Sequence, residues 1–219
     1  MKLQKALVGF VGLFTFRKCT LALCGRMKKL IAIAIIGLAL NGSAQTINFT
    51  TTNEAVKTRA KYLVRSGIIT ITTDRVNGNI HVSRVRSPNV LEGTNYVYLD
   101  ASIIKGQKPS LVIGAVHYAS GWIFATRVDF KIGESVITLT DDNPVRDVMG
   151  GDVVWEGLTF PGDRKSSQIV IKAIATGRCK LCALRGSSGE RAIDISKEDF
   201  VDVLMVYYAL GGQPLNATE

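Results

Sequence analysis

Histidine is nearly absent from this chain: among 219 residues only His81 and His117 occur. They stand in separate segments, outside any paired ligand spacing. A zinc site needs about four closely arranged nitrogen or sulfur ligands, so no metal is expected. Cysteine is scarce too, limited to Cys19, Cys24, Cys179 and Cys182. Neither a glycine-rich phosphate loop with its lysine nor a nucleophile elbow is present. No cofactor is therefore expected, and the reading leans away from an enzyme.

Acidic residues are missing altogether from the first 44 positions, which hold seven of the 27 Lys and Arg. That basic stretch contains "MKKLIAIAIIGLALNGSAQ", beginning at Met27. A short basic start is followed by an apolar run from Leu30 to Leu40 and by small residues ending at Ala44. These are the three regions of a secretory signal peptide. The apolar run falls short of the roughly 20 residues that a membrane-spanning helix needs. The expectation is a leader over 1–44, with the signal peptide at 27–44 and cleavage after Ala44. Residues 1–26 read as an over-called start upstream of Met27. The protein is then periplasmic or secreted, with no transmembrane span in the mature chain.

Removing the leader changes the electrostatics. The whole chain has a net charge of +9, but residues 45–219 keep 20 basic against 18 acidic residues, or +2. Nucleic-acid binding rests largely on excess cationic charge facing phosphates, so it is not expected here. Residues 45–219 suit a single domain with its own core.

Alternating apolar and polar residues dominate from Ile68 onward, the signature of half-buried strands. "IITITTDRVNGNIHVSRVRS" reads as a hairpin turning at Asn77-Gly78, which places Asp74 opposite His81. "YVYLDASII" should pair with Leu111–Tyr118. "LVIGAVHYASGWIFATRVDFKI" reads as a second hairpin turning at Ser120-Gly121, with Leu111, Ile113, Ala115, His117, Phe124, Val128 and Phe130 on its core face. Residues 136–140, 152–160, 167–176 and 180–186 read as further strands. Asn53 can cap a short helix carrying Val56, Ala60 and Leu63 on one face, and the stretch reads equally as an irregular entry segment. Ser196 with Asp199 favours a C-terminal helix over 197–210, stopped by Gly211, with a final buried strand as the alternative. The fold class is mainly β: an antiparallel sandwich, with a barrel as the alternative, and one or two short helices.

Candidate chemistry concentrates in a few places. In "GRCKLCALRG", Cys179 and Cys182 form a CxxC. A redox CxxC uses a helix N-terminus to lower one thiol, whereas strand-like sequence flanks this pair. The favoured reading is a local disulfide pinching a turn or bulge. Free or partly reduced thiols are a second reading, and a thiol-disulfide redox protein is the functional alternative, because Arg178, Lys180 and Arg185 favour a thiolate. Asp74 facing His81, with Ser83 nearby, is a polar pair of the kind used in acid–base chemistry, and equally an ordinary cross-strand pair. His117, alone on an apolar strand face, reads as a hydrogen-bonded core residue. Asp141, Asp142, Asn143, Asp147 and Asp152 make an oxygen-rich segment without EF-hand spacing, better explained by Asx turns. Trp155, with Tyr96 and Tyr98, marks either core or a binding face. The functional expectation is an exported, non-enzymatic β-sandwich whose partner is a protein or a cell-envelope component.

Overall fold

The computed structural model describes residues 48–215 apart from 75, 86–93, 105, 151 and 194, with the backbone alone at 94, 149 and 150. The expected leader lies outside these residues. In chain order the elements are α1 (Glu54–Arg65), β1 (Ile69–Thr73), β2 (Ile80–Arg84), β3 (Thr94–Ile103), β4 (Ser110–Ala119), β5 (Ala125–Ile132), β6 (Ser135–Thr140), β7 (Val145–Gly150), β8 (Val153–Pro161), α2 (Lys165–Ala175), β9 (Cys179–Gly186), β10 (Gly189–Ile193) and α3 (Lys197–Ala209). The strands form two antiparallel sheets that do not close into a barrel: a six-stranded sheet in the order β1-β2-β3-β4-β8-β7 and a four-stranded one in the order β10-β9-β5-β6. The fold is the mainly β sandwich that the alternation implies, with three helices rather than one or two.

Both capped helices form where their sequences place them. The Asn53 side chain accepts from the amides of Ala55 and Val56, and α1 buries Ala60 and Leu63. At α3 the Ser196 hydroxyl accepts from Asp199 N at 3.2 Å. The helix ends in a Schellman arrangement, with Gly212 N donating to Tyr207 O and Gly211 N to Tyr208 O. Gly211 takes φ +89°, a value that an L side chain resists. Helix α3 packs on β2 and β3 as well as on α1 and α2. Its Phe200, Val203, Val206 and Ala209 have no exposed surface, and fully burying a large apolar side chain is worth about 1.5–3 kcal/mol. Arg84 of β2 pins α3 through Asp199 (2.6 Å) and Asp202 (3.3 Å), and Arg59 of α1 reaches Asp202 at 3.2 Å.

Three sequence expectations are corrected. The first hairpin exists, but its loop holds four residues. Asp74 N donates to Asn79 O and Gly78 N to Asp74 O, both at 2.8 Å. A two-residue turn of the mirror type needs positive φ at both central positions, and Asn77 keeps a negative one while Gly78 stands at +73°. The Asp74 carboxylate instead accepts from Val76 N at 2.8 Å, an Asx turn that holds the wider loop open. Thr72, not Asp74, therefore lies opposite His81.

The expected hairpin over 111–132 does not form. Strand β4 pairs with β3 and β8, and β5 pairs with β6 and β9. Between β4 and β5 the chain leaves one sheet for the other. Leu111, Ile113, Ala115, His117, Val128 and Phe130 are buried as expected, while Phe124 is 44% exposed. Residues 167–176 form most of α2 rather than a strand. Their β-branched residues satisfied the alternating pattern, but Ser167, Val170, Ile171 and Ile174 also share one helical face, and that face is the buried one. Helix α2 covers β5, β6 and β9.

Candidate functional site

Strand alternation and register together assemble an aromatic face. Along β3, Tyr96 and Tyr98 point to the same side of the six-stranded sheet. Tyr96 lies opposite Val116, which lies opposite Gly157. Tyr98 lies opposite Gly114, and Tyr118 opposite Trp155. All four rings are half-buried, on the side of the sheet away from the buried Val82, Leu99 and Ala101. They are laid down on glycines. A Cβ at Gly114 would stand 1.9 Å from the Tyr98 ring, and one at Gly157 would stand 2.6 Å from the Trp155 indole. Strand glycines lose packing and gain entropy in the unfolded chain, and a ring placed over them restores contact. The rings consequently lie low along the sheet, and Val116 beneath them is only 3% exposed. The sequence pattern singled out Tyr96, Tyr98 and Trp155, and the fold brings those three together. Tyr118 escaped notice because its place depends on the β4–β8 register.

A second centre sits where the chain changes sheets. Glu156, on the inner side of β8, has no exposed surface. Its carboxylate accepts from Ile123 N at 2.7 Å, Phe124 N at 3.1 Å and Ala125 N at 2.7 Å. Three successive amides converging on one carboxylate form an anion nest, here filled by the chain's own side chain. Arg146 of β7 adds a contact from Nε at 3.4 Å and donates from Nη2 to Ala125 O at 2.9 Å. These bonds fix the crossing from the β8 side, while Ala125 pairs with Gly186 and Ser188 N donates to Ile123 O at 3.1 Å on the β9 side. They hold Phe124 at φ +54°, the one positive value among described residues other than glycine. The Phe124 ring stacks on Trp122 at 6.1 Å, and the Arg146 guanidinium lies 5.7 Å from its centroid. His117 braces the same turn, its Nε2 proton going to Gly121 O at 2.9 Å, while Nδ1 lies 2.6 Å from the Asn95 side chain. Fully buried and bonded at both nitrogens, it is the core histidine that its strand position implied.

The expected Cys179–Cys182 disulfide is not formed, and both cysteines are buried. Both cysteines lie within β9, where Cys182 pairs with Phe130 and Cys179 with Ile132 around an extra residue. That bulge turns both side chains inward, Cys179 being 4% exposed and Cys182 8%. Extended residues three positions apart are separated by about 10 Å along the strand, whereas bridged Cα atoms sit roughly 4.4–6.8 Å apart. A strand, unlike a tight turn, keeps the two sulfurs apart. Burial also pushes the Cys179 thiol above its ordinary value, the opposite of the activation that a redox cysteine uses.

The remaining candidates resolve into local structure. His81 is exposed, and Asp74 serves the Asx turn. Asp141 accepts from Asn143 N at 2.9 Å and Thr159 N at 2.8 Å, and Asp147 accepts from Val148 N at 2.8 Å. These are turn and strand-end duties, and the segment around Asp147 is strand β7 rather than the loop its acidity implied. No protein-family model, no curated protein and no solved structure matches the chain.

Proposed function

We propose that this protein is an exported binding module rather than an enzyme, and that its outer aromatic face takes a glycan strand of the cell envelope. The observation that carries this reading is the set of Tyr96, Tyr98, Tyr118 and Trp155 laid along one sheet face over Gly114 and Gly157. The C–H face of a sugar ring is flat and apolar, while its edge carries hydroxyls. Tyrosine and tryptophan match both properties, with an apolar ring face and a polar rim. The near-neutral charge of residues 45–219 suits a ligand recognised by stacking more than by charge. Export is supported by the leader-like sequence at 27–44, and among the described residues no helix is long and apolar enough to cross a membrane.

Co-sedimentation with insoluble peptidoglycan and with chitin tests the binding. Saturable pelleting is expected, weakened at least tenfold by Trp155→Ala and by Tyr98→Ala, with circular dichroism confirming that the variants stay folded. Absence of pelleting, or undiminished pelleting by a folded double variant, would overturn the glycan reading. Binding that follows a protein contaminant instead of the glycan would assign the face to a protein partner. The mass of the protein recovered from outside the cytoplasm tests export, with Gln45 as the expected first residue.

A further inference from the structure

We propose that the arginine-lined cleft beside the sheet crossing is a second, independent site, which binds an oxyanion carried on a flat ring: a phosphate monoester or a carboxylate. The cleft encloses about 390 Å³ and is lined by Phe124, Arg127, Arg146, Arg185 and Ser187 among others. A bare ion needs far less room, and small-molecule pockets begin at about 300 Å³.

Three strands deliver the three guanidinium groups, Arg127 from β5, Arg185 from β9 and Arg146 from β7. Arg127 and Arg185 lie directly opposite one another. Like charges in that position destabilise a sheet, unless an anion sits between them. The neighbouring carboxylates do not fill that role for Arg127. Arg185 is paired with Asp129 and Glu190, and Arg146 with the buried Glu156. Among the described residues Arg127 makes no ion pair and no side-chain hydrogen bond. It therefore carries the uncompensated charge of the cleft, with the planar fork that recognises carboxylate or phosphate in two bonds.

Phe124 supplies the second half of the recognition. Its ring is 44% exposed although Phe is among the most readily buried residues. Its backbone is held at positive φ by three amide bonds to Glu156. Strain of that kind persists where the surroundings over-determine it, and it clusters at ligand clamps. Gly186 makes the approach feasible, because a Cβ there would stand 2.0 Å from Ile123 O and 2.5 Å from Phe124 C. The result is an exposed ring fixed beside a free arginine, which fits a ligand with a flat ring and an oxyanion on its edge.

Isothermal titration with phenyl phosphate, benzoate, inorganic phosphate and phenol tests the site on the full chain. Phenyl phosphate, benzoate or both are expected to bind saturably and more tightly than phosphate or phenol, with affinity falling as salt rises. Arg127→Gln should weaken that binding at least tenfold without lowering the melting temperature, since it removes a like charge facing Arg185 and no ion pair among the described residues. Phe124→Gly should reduce affinity toward that of inorganic phosphate while keeping the backbone geometry that glycine adopts freely. Preference for phenyl phosphate over benzoate identifies a phosphate monoester, and the reverse a carboxylate. No saturable binding by either, or undiminished binding by Arg127→Gln, overturns the proposal. Because none of these residues belongs to the aromatic face, the outcome is separable from that of glycan sedimentation.

Discussion

The two sheets present opposite chemistry to their surroundings. The outer face of the six-stranded sheet is a row of rings over glycines, while that of the four-stranded sheet is a ladder of charge. On the latter, Thr140, Arg127, Arg185 and Glu190 lie in one cross-strand row, and Thr138 and Asp129 lie opposite each other in the next. The difference follows from how each sheet obtains its packing. The rings of the first compensate for missing side chains at Gly114 and Gly157. The second carries longer polar side chains, of which Arg185, Asp129, Glu190 and Thr138 pair with one another, Thr138 donating to Asp129 at 2.7 Å. One face offers stacking, the other ion pairing, and Glu156 joins the two sheets.

That joint is where the comparison breaks most sharply. Removing the Glu156 carboxylate strands the buried amides of Ile123 and Ala125 and the part-buried one of Phe124, and it breaks the ion pair with Arg146. Loss of one partner from a buried ionic cluster costs about 3–5 kcal/mol. Glu156→Ala is accordingly expected to lower the urea midpoint more than any variant on either outer face. Trp122, beside the crossing, and Trp155, on the aromatic face, give two fluorescence probes. If the two sheets unfold as one unit the probes will report coincident transitions, whereas separated transitions in the variant would show that the joint alone couples them.

Two glycines test the sheets separately. At Gly186 the obstacle to a Cβ is backbone, Ile123 O and Phe124 C, which cannot swing away. At Gly114 the nearest atoms belong to the Tyr98 ring, whose far end can move. Overpacking costs typically 1–3 kcal/mol, so Gly186→Ala should fall near 3 kcal/mol and Gly114→Ala near 1 kcal/mol on that scale. Equilibrium unfolding checks the ranking. Gly114→Ala should also lift the Tyr98 ring and weaken glycan pelleting, an effect that Gly186→Ala should lack as long as it folds.

Alkaline titration separates the two halves again, with a smaller effect. Burial raises Cys179 on the four-stranded sheet above its ordinary 9.0, and raises Tyr207 and Tyr208, on the helix against the six-stranded sheet, above 10.0. Each group is an acid that the unfolded chain deprotonates first. Its contribution is complete below the unfolded value and disappears as pH rises through the folded one. The urea midpoint should be flat near neutrality and decline past pH 9.0 and again past 10.0. Cys179→Ser should remove the first decline and leave the second; an unchanged first decline would place its source elsewhere.

The same contrast explains what could be read from the sequence. The six-stranded sheet was legible where neighbours in sequence pair through one turn, as β3 and β4 do, and the Tyr96–Tyr98 spacing already marked its outer face. The four-stranded sheet was not. Strand β5 alternates just as a partner for β4 would, and what diverts it is a carboxylate more than thirty positions downstream. Alternation determines which face of a strand is buried but not which strand lies beside it. Arg127, Arg146 and Arg185 were invisible as a group for the same reason, since three separate strands contribute them. The segment 167–176 satisfied both the two-residue and the 3.6-residue period, and tertiary packing chose the helix. The cysteine spacing was read as a disulfide at a turn or bulge; the bulge is there, but it lies inside a strand and carries no disulfide.

The smallest effect is expected at the edge of the six-stranded sheet and locates binding within it. His81 is exposed on β2, and Asp74 contributes one side-chain hydrogen bond to its own turn. Surface changes of this kind usually stay within about 0.5 kcal/mol, and loss of a turn-stabilising bond adds about 0.5–1 kcal/mol. His81→Ala should leave both stability and glycan pelleting unchanged, and Asp74→Ala should lower stability slightly without touching pelleting. If either folded variant stopped binding glycan, the site would have to extend from the rings of β3, β4 and β8 to the β1–β2 hairpin. The stacking face would then no longer be enough, and a polar group beside it would share the recognition.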